Sequence, residues 1–134
     1  MKKFSEIEYV RPDMEAEREK VRAYTKALKE AKSYEELRGL FMEEKTREDA
    51  WATMAEVAQV RYTVDTRDSF YEGEVQFWNE TIPAIHLLIQ KAEKVILESP
   101  FIKEFAEEFG EFFVKNMEAV SYTHLRAHET RSNL

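Results

Sequence analysis

Apolar residues recur in this chain at intervals of three, four and seven, the spacing that places side chains on one face of an α-helix. The first stripe follows Asp13, whose side chain can cap a helix by accepting a backbone hydrogen bond. Its members are Met14, Val21, Tyr24, Leu28 and Ala31. Only three of the 134 residues are Gly and three are Pro, whereas 35% are charged, a composition that favours long helices over a turn-rich β fold. We predict an all-α fold of about four amphipathic helices in an antiparallel, bundle-like arrangement.

Ahead of the first helix, the stretch Phe4 to Val10 alternates only loosely between apolar and polar residues. Ile7, Tyr9 and Val10 are its apolar anchors, and Pro12 ends it. We expect a short extended arm here.

A capping box predicts where the second helix begins. Residues 33–36 read Ser-Tyr-Glu-Glu, so the serine can accept from an amide one turn on while the second glutamate reaches back to the serine amide. Residues 43–49 are all charged except Thr46. The second helix is therefore expected either to cross solvent at this segment or to break there.

Two further helices are predicted after it. Asp65 or Thr66 can cap a third helix, and Pro83 inside that helix is expected to cause a kink or a break costing about 3 kcal/mol. Ser99-Pro100 then supplies a cap and a first-position proline for a fourth helix. The phenylalanine stripe of this helix is expected to be core: Phe101, Phe105, Phe109, Phe112 and Phe113.

Charge and composition argue against several functional classes. The net charge is −7 and Glu is scattered along the chain, whereas nucleic-acid binding needs a clustered basic face. The chain has no cysteine, so it has neither a disulfide nor a thiolate metal site. No stretch approaches the roughly 20 apolar residues of a membrane span, and polar residues interrupt any signal peptide. We expect a soluble, cytoplasmic protein with no nucleic-acid or membrane partner.

Catalytic motifs are not found in the sequence. There is no His-Glu-x-x-His, and Pro83 lies three residues before His86, where a di-iron bundle needs Glu. His86 is expected at the helix surface or core edge, and the glutamates at 72, 74 and 80 on a solvated helix face more than in a cleft. We predict no catalytic residue, no metal ligand and no cofactor in this chain.

The densest group of polar and aromatic residues lies between positions 61 and 72. Arg61 and Asp65 are one helical turn apart and can pair, or Asp65 can cap the next helix. We interpret the group as structural ion pairing or capping more than as a ligand contact. The candidate structural or channel-wall residues are Arg61, Tyr62, Asp65, Arg67, Asp68 and Tyr71.

Several segments together resemble a known family. They are Phe4 to Asp13, Ser33 to Leu37, Arg61 to Tyr71, Phe77 with Glu80 and Pro83, and Ser99-Pro100-Phe101. Over residues 1–119 the chain resembles the amino-terminal region of oligoendopeptidase F-type members of the thimet-oligopeptidase zinc metallopeptidase family. The resemblance implies a parent enzyme that hydrolyses short peptides in a deep channel, with zinc held by a downstream His-Glu-x-x-His helix and a later Glu. It also implies that these helices form channel wall, are inactive alone, and have the missing C-terminal catalytic domain as their partner.

Residues 120–134 are expected to be a non-native tail. Reverse-translated, Val120 to Thr130 resembles the transposase end and adapter of a sequencing library, and Asn133 and Leu134 fit its continuation. The spacing of His124 and His128 is therefore not interpreted as a metal site. We expect residues 1–119 to form an incomplete helical domain and the tail to be disordered.

An alternative function is an autonomous helical interaction module without catalytic activity. It would present the acidic and aromatic face near Tyr62 to Trp78 to a partner. A cut wall segment is instead expected to self-associate through an apolar face that a missing domain would cover.

Overall fold

The computed structural model describes residues 4–120, and these contain helices but no strand. A short 3₁₀ helix, Phe4–Glu6, is followed by α1 (Met14–Glu30), α2 (Tyr34–Val64), α3 (Ser69–Leu97) and α4 (Ile102–Phe109), and residues 111–120 are also helical. The predicted all-α class is confirmed. The arm is irregular after its 3₁₀ turn, and the predicted tail beyond Val120 lies outside the described residues.

Two apolar clusters form the core of the bundle. The first cluster contains the buried residues Tyr24, Leu28, Leu37, Phe41, Ala92, Ile96, Phe105, Val114 and Met117. The second contains Met14, Val21, Trp51, Ala58, Trp78, Ile85 and Ile89. The first cluster joins the C-terminal parts of α1 and α3 to the N-terminal half of α2, and the second joins the N-terminal half of α1 and the middle of α3 to the C-terminal half of α2. Consecutive helices α1, α2 and α3 therefore run antiparallel.

The charged segment 43–49 neither breaks α2 nor runs through solvent, so that prediction was wrong. The helix is continuous from Tyr34 to Val64, and the Glu44 side chain in its middle is only 1% exposed. Along α2, Glu44 lies between Phe41 of the first cluster and Trp51 of the second. On α2, a polar layer thus lies between residues of the two apolar clusters.

The polar layer consists of Glu44, Arg47 and Glu48 on α2 and Glu93 on α3. Arg47 Nη2 donates to Glu44 Oε2 within the helix, while Glu44 Oε1 and Arg47 Nε have no protein partner among the described residues. Burial raises the pKa of Glu44, and the Arg47 guanidinium opposes that shift. Charged groups so placed cost free energy that the two apolar clusters must outweigh.

The capping predictions are partly confirmed. Ser33 Oγ accepts from the Glu36 amide at 3.1 Å, as expected, but Glu36 Oε2 accepts from the Lys32 amide instead of the serine amide. The cap of α3 is Asp68, not Asp65 or Thr66, and its Oδ1 accepts from the Phe70 amide at 2.9 Å. The two residues 66 and 67 form a turn, so the third helix begins later than predicted.

The last part of the chain differs from the predicted fourth helix. Pro83 does not break α3, which runs through it to Leu97. Ser99 Oγ accepts from the Phe101 amide at 2.9 Å, but α4 begins only at Ile102 and ends at Phe109, where it is followed by Gly110 with a φ of 97°. Because the helix is interrupted at Gly110, the phenylalanine stripe does not stay in register. Phe105 is fully buried, whereas Phe112 is 79% exposed and is not core, contrary to the prediction.

Candidate functional site

The N-terminal arm docks on the first turns of α3 through a buried carboxylate. The Tyr9 hydroxyl donates to Glu74 Oε1 at 2.6 Å and accepts from the Trp78 indole nitrogen at 3.0 Å. Arg11 Nε donates to the same Glu74 oxygen at 3.0 Å, and its Nη2 pairs with Oε2, a two-pronged ion pair. The Arg11 guanidinium also lies 3.9 Å from the centroid of the Phe77 ring.

The electrostatics of this arm-docking site follow from that geometry. The hydrogen bonds from Arg11 lower the pKa of Glu74 below its usual range, with the Tyr9 hydroxyl adding to the effect. Burial, with the neighbouring carboxylate, raises the pKa of Tyr9 to about 12. Glu74 is 6% exposed, so its predicted place on a solvated face was wrong, although Glu72 and Glu80 are exposed as expected.

Arg61 ties the end of α2 to the same arm. Its Nη1 donates to the Tyr71 hydroxyl at 2.9 Å, and its Nη2 donates to the Ile7 carbonyl oxygen. The Tyr9 and Tyr71 rings meet edge to face with centroids 5.7 Å apart. The structure therefore directs the Arg61 guanidinium to the arm instead of to Asp65.

The other predicted cluster residues divide between local roles. Asp65 Oδ1 lies 3.4 Å from Arg67 Nε in an exposed pair, which is worth little. Asp68 caps α3, and Tyr62 is half-buried. The cluster is thus not one site: Arg61 and Tyr71 belong to arm docking, and the acids belong to the turn.

Sequence reasoning missed Tyr9, Arg11 and their partner Glu74 as site residues. Ile7, Tyr9 and Arg11 are spaced two apart in a non-helical segment, a spacing that directs alternate side chains to one side of an extended chain. This spacing of two was the feature of the sequence that could have identified Tyr9 and Arg11. It could not identify Glu74 as the partner, because 63 residues separate that acid from Arg11.

A second polar site opens beside the polar layer. It is a cleft of about 310 Å³ between α2, α3 and residues 111–120, with both polar and apolar walls. Glu48 and Glu93 line it from facing helices, and Lys45 and the exposed His86 lie at the same cleft. Burial raises the pKa of Glu48 from 4.5 to about 7 and also raises the pKa of Glu93.

Neither site offers a metal centre. Within residues 4–120 no group of three or more His, Asp or Glu side chains is arranged to hold a metal ion. The zinc that the family resemblance implies therefore has no fitting set of ligands in this part of the chain. None of the helices in the same range is long and apolar enough to cross a membrane.

Comparisons with known proteins agree with the helical architecture. The family model for the peptidase M3 N-terminal domain matches residues 4–123. Two solved structures, of PZ peptidase A with inhibitor 2 and of a putative oligoendopeptidase F, each superpose with a TM-score of 0.83 at 28% identity over 87% of this chain. The chain spans 21% and 20% of the lengths of those two proteins. No curated protein sequence matches. The extent of the family match establishes that this chain belongs to the peptidase M3 N-terminal domain family.

Proposed function

We propose that this chain is the N-terminal helical wall of a zinc-dependent oligoendopeptidase that hydrolyses short peptides. In this proposal the chain shapes the substrate channel and contributes no zinc ligand and no catalytic group. The observation that carries it is the family match over residues 4–123, together with the 0.83 TM-scores to peptidases of which the chain spans about a fifth.

The described residues support a scaffold role. Arg61, Tyr71 and Asp68 are engaged in arm docking and capping, and none is paired with a base or acid in an arrangement that would activate a nucleophile. Their aromatic and hydrogen-bonding contacts hold the arm, α2 and α3 in fixed relation. A wall needs that rigidity, since a channel that excludes folded proteins must keep its width.

A chimaera tests the proposal directly. Residues 4–119 replace the matching segment of the putative oligoendopeptidase F, and hydrolysis of a quenched fluorescent peptide is compared with hydrolysis of a folded protein. We expect retained zinc by metal analysis, cleavage of the peptide and no cleavage of the folded protein. A folded, zinc-loaded chimaera that cleaves neither substrate contradicts the proposal.

The isolated chain provides the matching control. Residues 1–134 alone should hold no stoichiometric zinc and should not hydrolyse the peptide. One tightly bound zinc per chain, or hydrolysis that a chelator abolishes, would overturn the assignment of the chemistry to another part of the parent enzyme. A cytoplasmic location is part of the same proposal, and fractionation of the producing cells tests it.

The alternative, an autonomous interaction module, is favoured by the two apolar clusters, which draw on every α-helix of residues 4–120. Against it stand apolar side chains left exposed around the α2–α3 turn, Val64 at 82% and Phe70 at 57%. We expect size-exclusion chromatography with light scattering to show self-association that weakens in a Val64→Ser, Phe70→Ser variant. A wild-type monomer with high amide protection favours the module.

A further inference from the structure

The polar layer has more acids than cations: Glu44 and Glu48 on α2 and Glu93 on α3, against Arg47 and Lys45. Glu44 is 1% exposed, and only its Oε2 has a partner, Arg47 on the same helix. Glu48, one turn further along α2, and Glu93 on α3 line the same cleft. Two ionised carboxylates facing each other across a partly desolvated gap repel, and each is costly to bury.

We propose that the polar layer is a proton-operated joint, in which proton uptake by Glu48 and Glu93 tightens the packing of α2 against α3. With these carboxyls ionised, α2 and α3 pack together across mutually repelling charge at the cleft. With them protonated, the repulsion and the desolvation cost of the charges disappear, and a carboxylic acid gains a donor hydrogen.

The groups around Glu48 define the balance of charge at the joint. Burial contributes most to the raised pKa of Glu48; on its own helix, Lys45 lowers that pKa, while Glu44 and Asp49 raise it. From α3, Glu93 raises it, and His86 lies at the cleft as a second titratable group.

Arg47 is already paired with Glu44 on α2, and α1 adds a further acid, Glu17, which raises the pKa of Glu44. From α1, the buried hydroxyl of Tyr24 faces the layer, and its pKa is raised by burial and by the acids of the layer. From residues 111–120, the walls of the cleft are Phe113, Asn116, Met117 and Val120, none of which is charged. Lys45 is therefore the cation shared by Glu48 and Glu93, since it also lowers the pKa of Glu93.

The direction of the pH effect follows from proton linkage. An acid whose pKa is higher in the folded than in the unfolded chain binds more protons when folded, so protonation favours folding. The extra stability is fully present below the unfolded value of 4.5 and is lost as the pH rises towards about 7. Most surface carboxylates that form ion pairs have a lowered pKa when folded, so their contribution to stability is instead lost as the pH falls.

Urea unfolding of the full chain at about pH 5.5 and about pH 8 tests the joint, with Glu48→Gln as the variant and Glu56→Gln as its control. Glu56 is on the same helix and exposed. We expect the wild-type and Glu56→Gln proteins to have a higher urea midpoint at the lower pH. The Glu48→Gln protein should lose at least half of that difference by gaining stability at the higher pH.

Two further measurements keep the proposal testable if that variant folds poorly. Glu93→Gln should reduce the same pH difference, and its effect should shrink in a Glu48→Gln background because the two acids interact. Carbon-13 NMR of the wild-type carboxyls should show one glutamate titrating near neutrality. A wild-type midpoint that does not rise at the lower pH, or equal pH dependence in the Glu48→Gln and Glu56→Gln proteins, overturns the proposal.

Discussion

The Tyr9 hydroxyl lies between Glu74 and Trp78, donating to the carboxylate at 2.6 Å and accepting from the indole at 3.0 Å. A residue of the N-terminal arm thereby satisfies two polar groups of α3, one of them on a Trp that is 3% exposed. Replacing Tyr9 by Phe removes both hydrogen bonds and leaves a buried indole N–H without its acceptor. We expect Tyr9→Phe to lower the free energy of unfolding by about 1–3 kcal/mol, measured by urea denaturation. Tyr62→Phe, at a half-buried position, is the control, and equal effects of the two changes would contradict this role.

Glu74 is the acid on which the arm depends. Glu74→Gln keeps the shape of the side chain but removes the charge that pairs with Arg11, so we expect a loss of roughly 1.5–3 kcal/mol in unfolding free energy. Glu72→Gln, on the exposed side of the same helix, should change it by less than about 0.5 kcal/mol. If both variants unfold at the same urea concentration, the ion pair is not what holds the arm.

Acid should release the arm before it unfolds the bundle. Because the Arg11 contact lowers the folded pKa of Glu74, its contribution to stability is fully present above the unfolded value of 4.5 and is lost as the pH falls through the folded value. We expect tryptophan fluorescence to change in this acidic range, because Trp78 loses its contact with Tyr9, while helical circular dichroism persists. In Glu74→Gln this early step should be absent, and a single coincident transition in the wild type would argue against a separate arm.

The phenylalanines after Ser99 should differ sharply in their contribution to stability. Phe105 is fully buried in the first apolar cluster, whereas Phe112 is 79% exposed. We expect Phe105→Ala to cost about 3–5 kcal/mol and Phe112→Ala less than about 0.5 kcal/mol in chemical denaturation. A large loss from Phe112→Ala would mean that another surface covers this ring.

Gly39 and Gly110 should respond in opposite ways to replacement by alanine. Gly110 has φ 97° and ψ 144°, a conformation essentially reserved for glycine, so Gly110→Ala should destabilise by about 1–3 kcal/mol. Gly39 lies within α2, and a Cβ there would meet nothing within 4 Å, so Gly39→Ala should stabilise by roughly 0.5–1 kcal/mol. Thermal melts of the two variants should therefore shift in opposite directions.

Local signals in the sequence were sufficient for the helices themselves. Asp13 and Ser33 cap α1 and α2 as expected, because a cap depends on residues within one turn. The start of α3 was misplaced because Asp65, Thr66 and Asp68 are all capable caps, and only the geometry of the turn after Val64 selects among them. The family and its all-α fold were predictable for the same reason: motifs and periodicity are local.

The parts that failed depend on contacts between distant segments. Glu44 and Glu74 look like ordinary solvated glutamates, since nothing near them in sequence shows that helices or the arm will cover them. The sequence left Arg61 free to pair with Asp65 or Asp65 free to cap α3, but the guanidinium donates to the Ile7 carbonyl and the Tyr71 hydroxyl instead. Burial of a charged residue is decided by the packing partner, and sequence periodicity does not name that partner.

The unbroken course of α2 has a mechanical consequence. At 1.5 Å per residue its 31 residues span about 46 Å, so one rod carries the arm-docking arginine near one end and the Ser33 cap at the other. Because α2 has no break, a displacement of the turn at Val64 should also move the α1–α2 connection. A protein that binds at one end of α2 and shifts it should therefore change the position of residues at the other end.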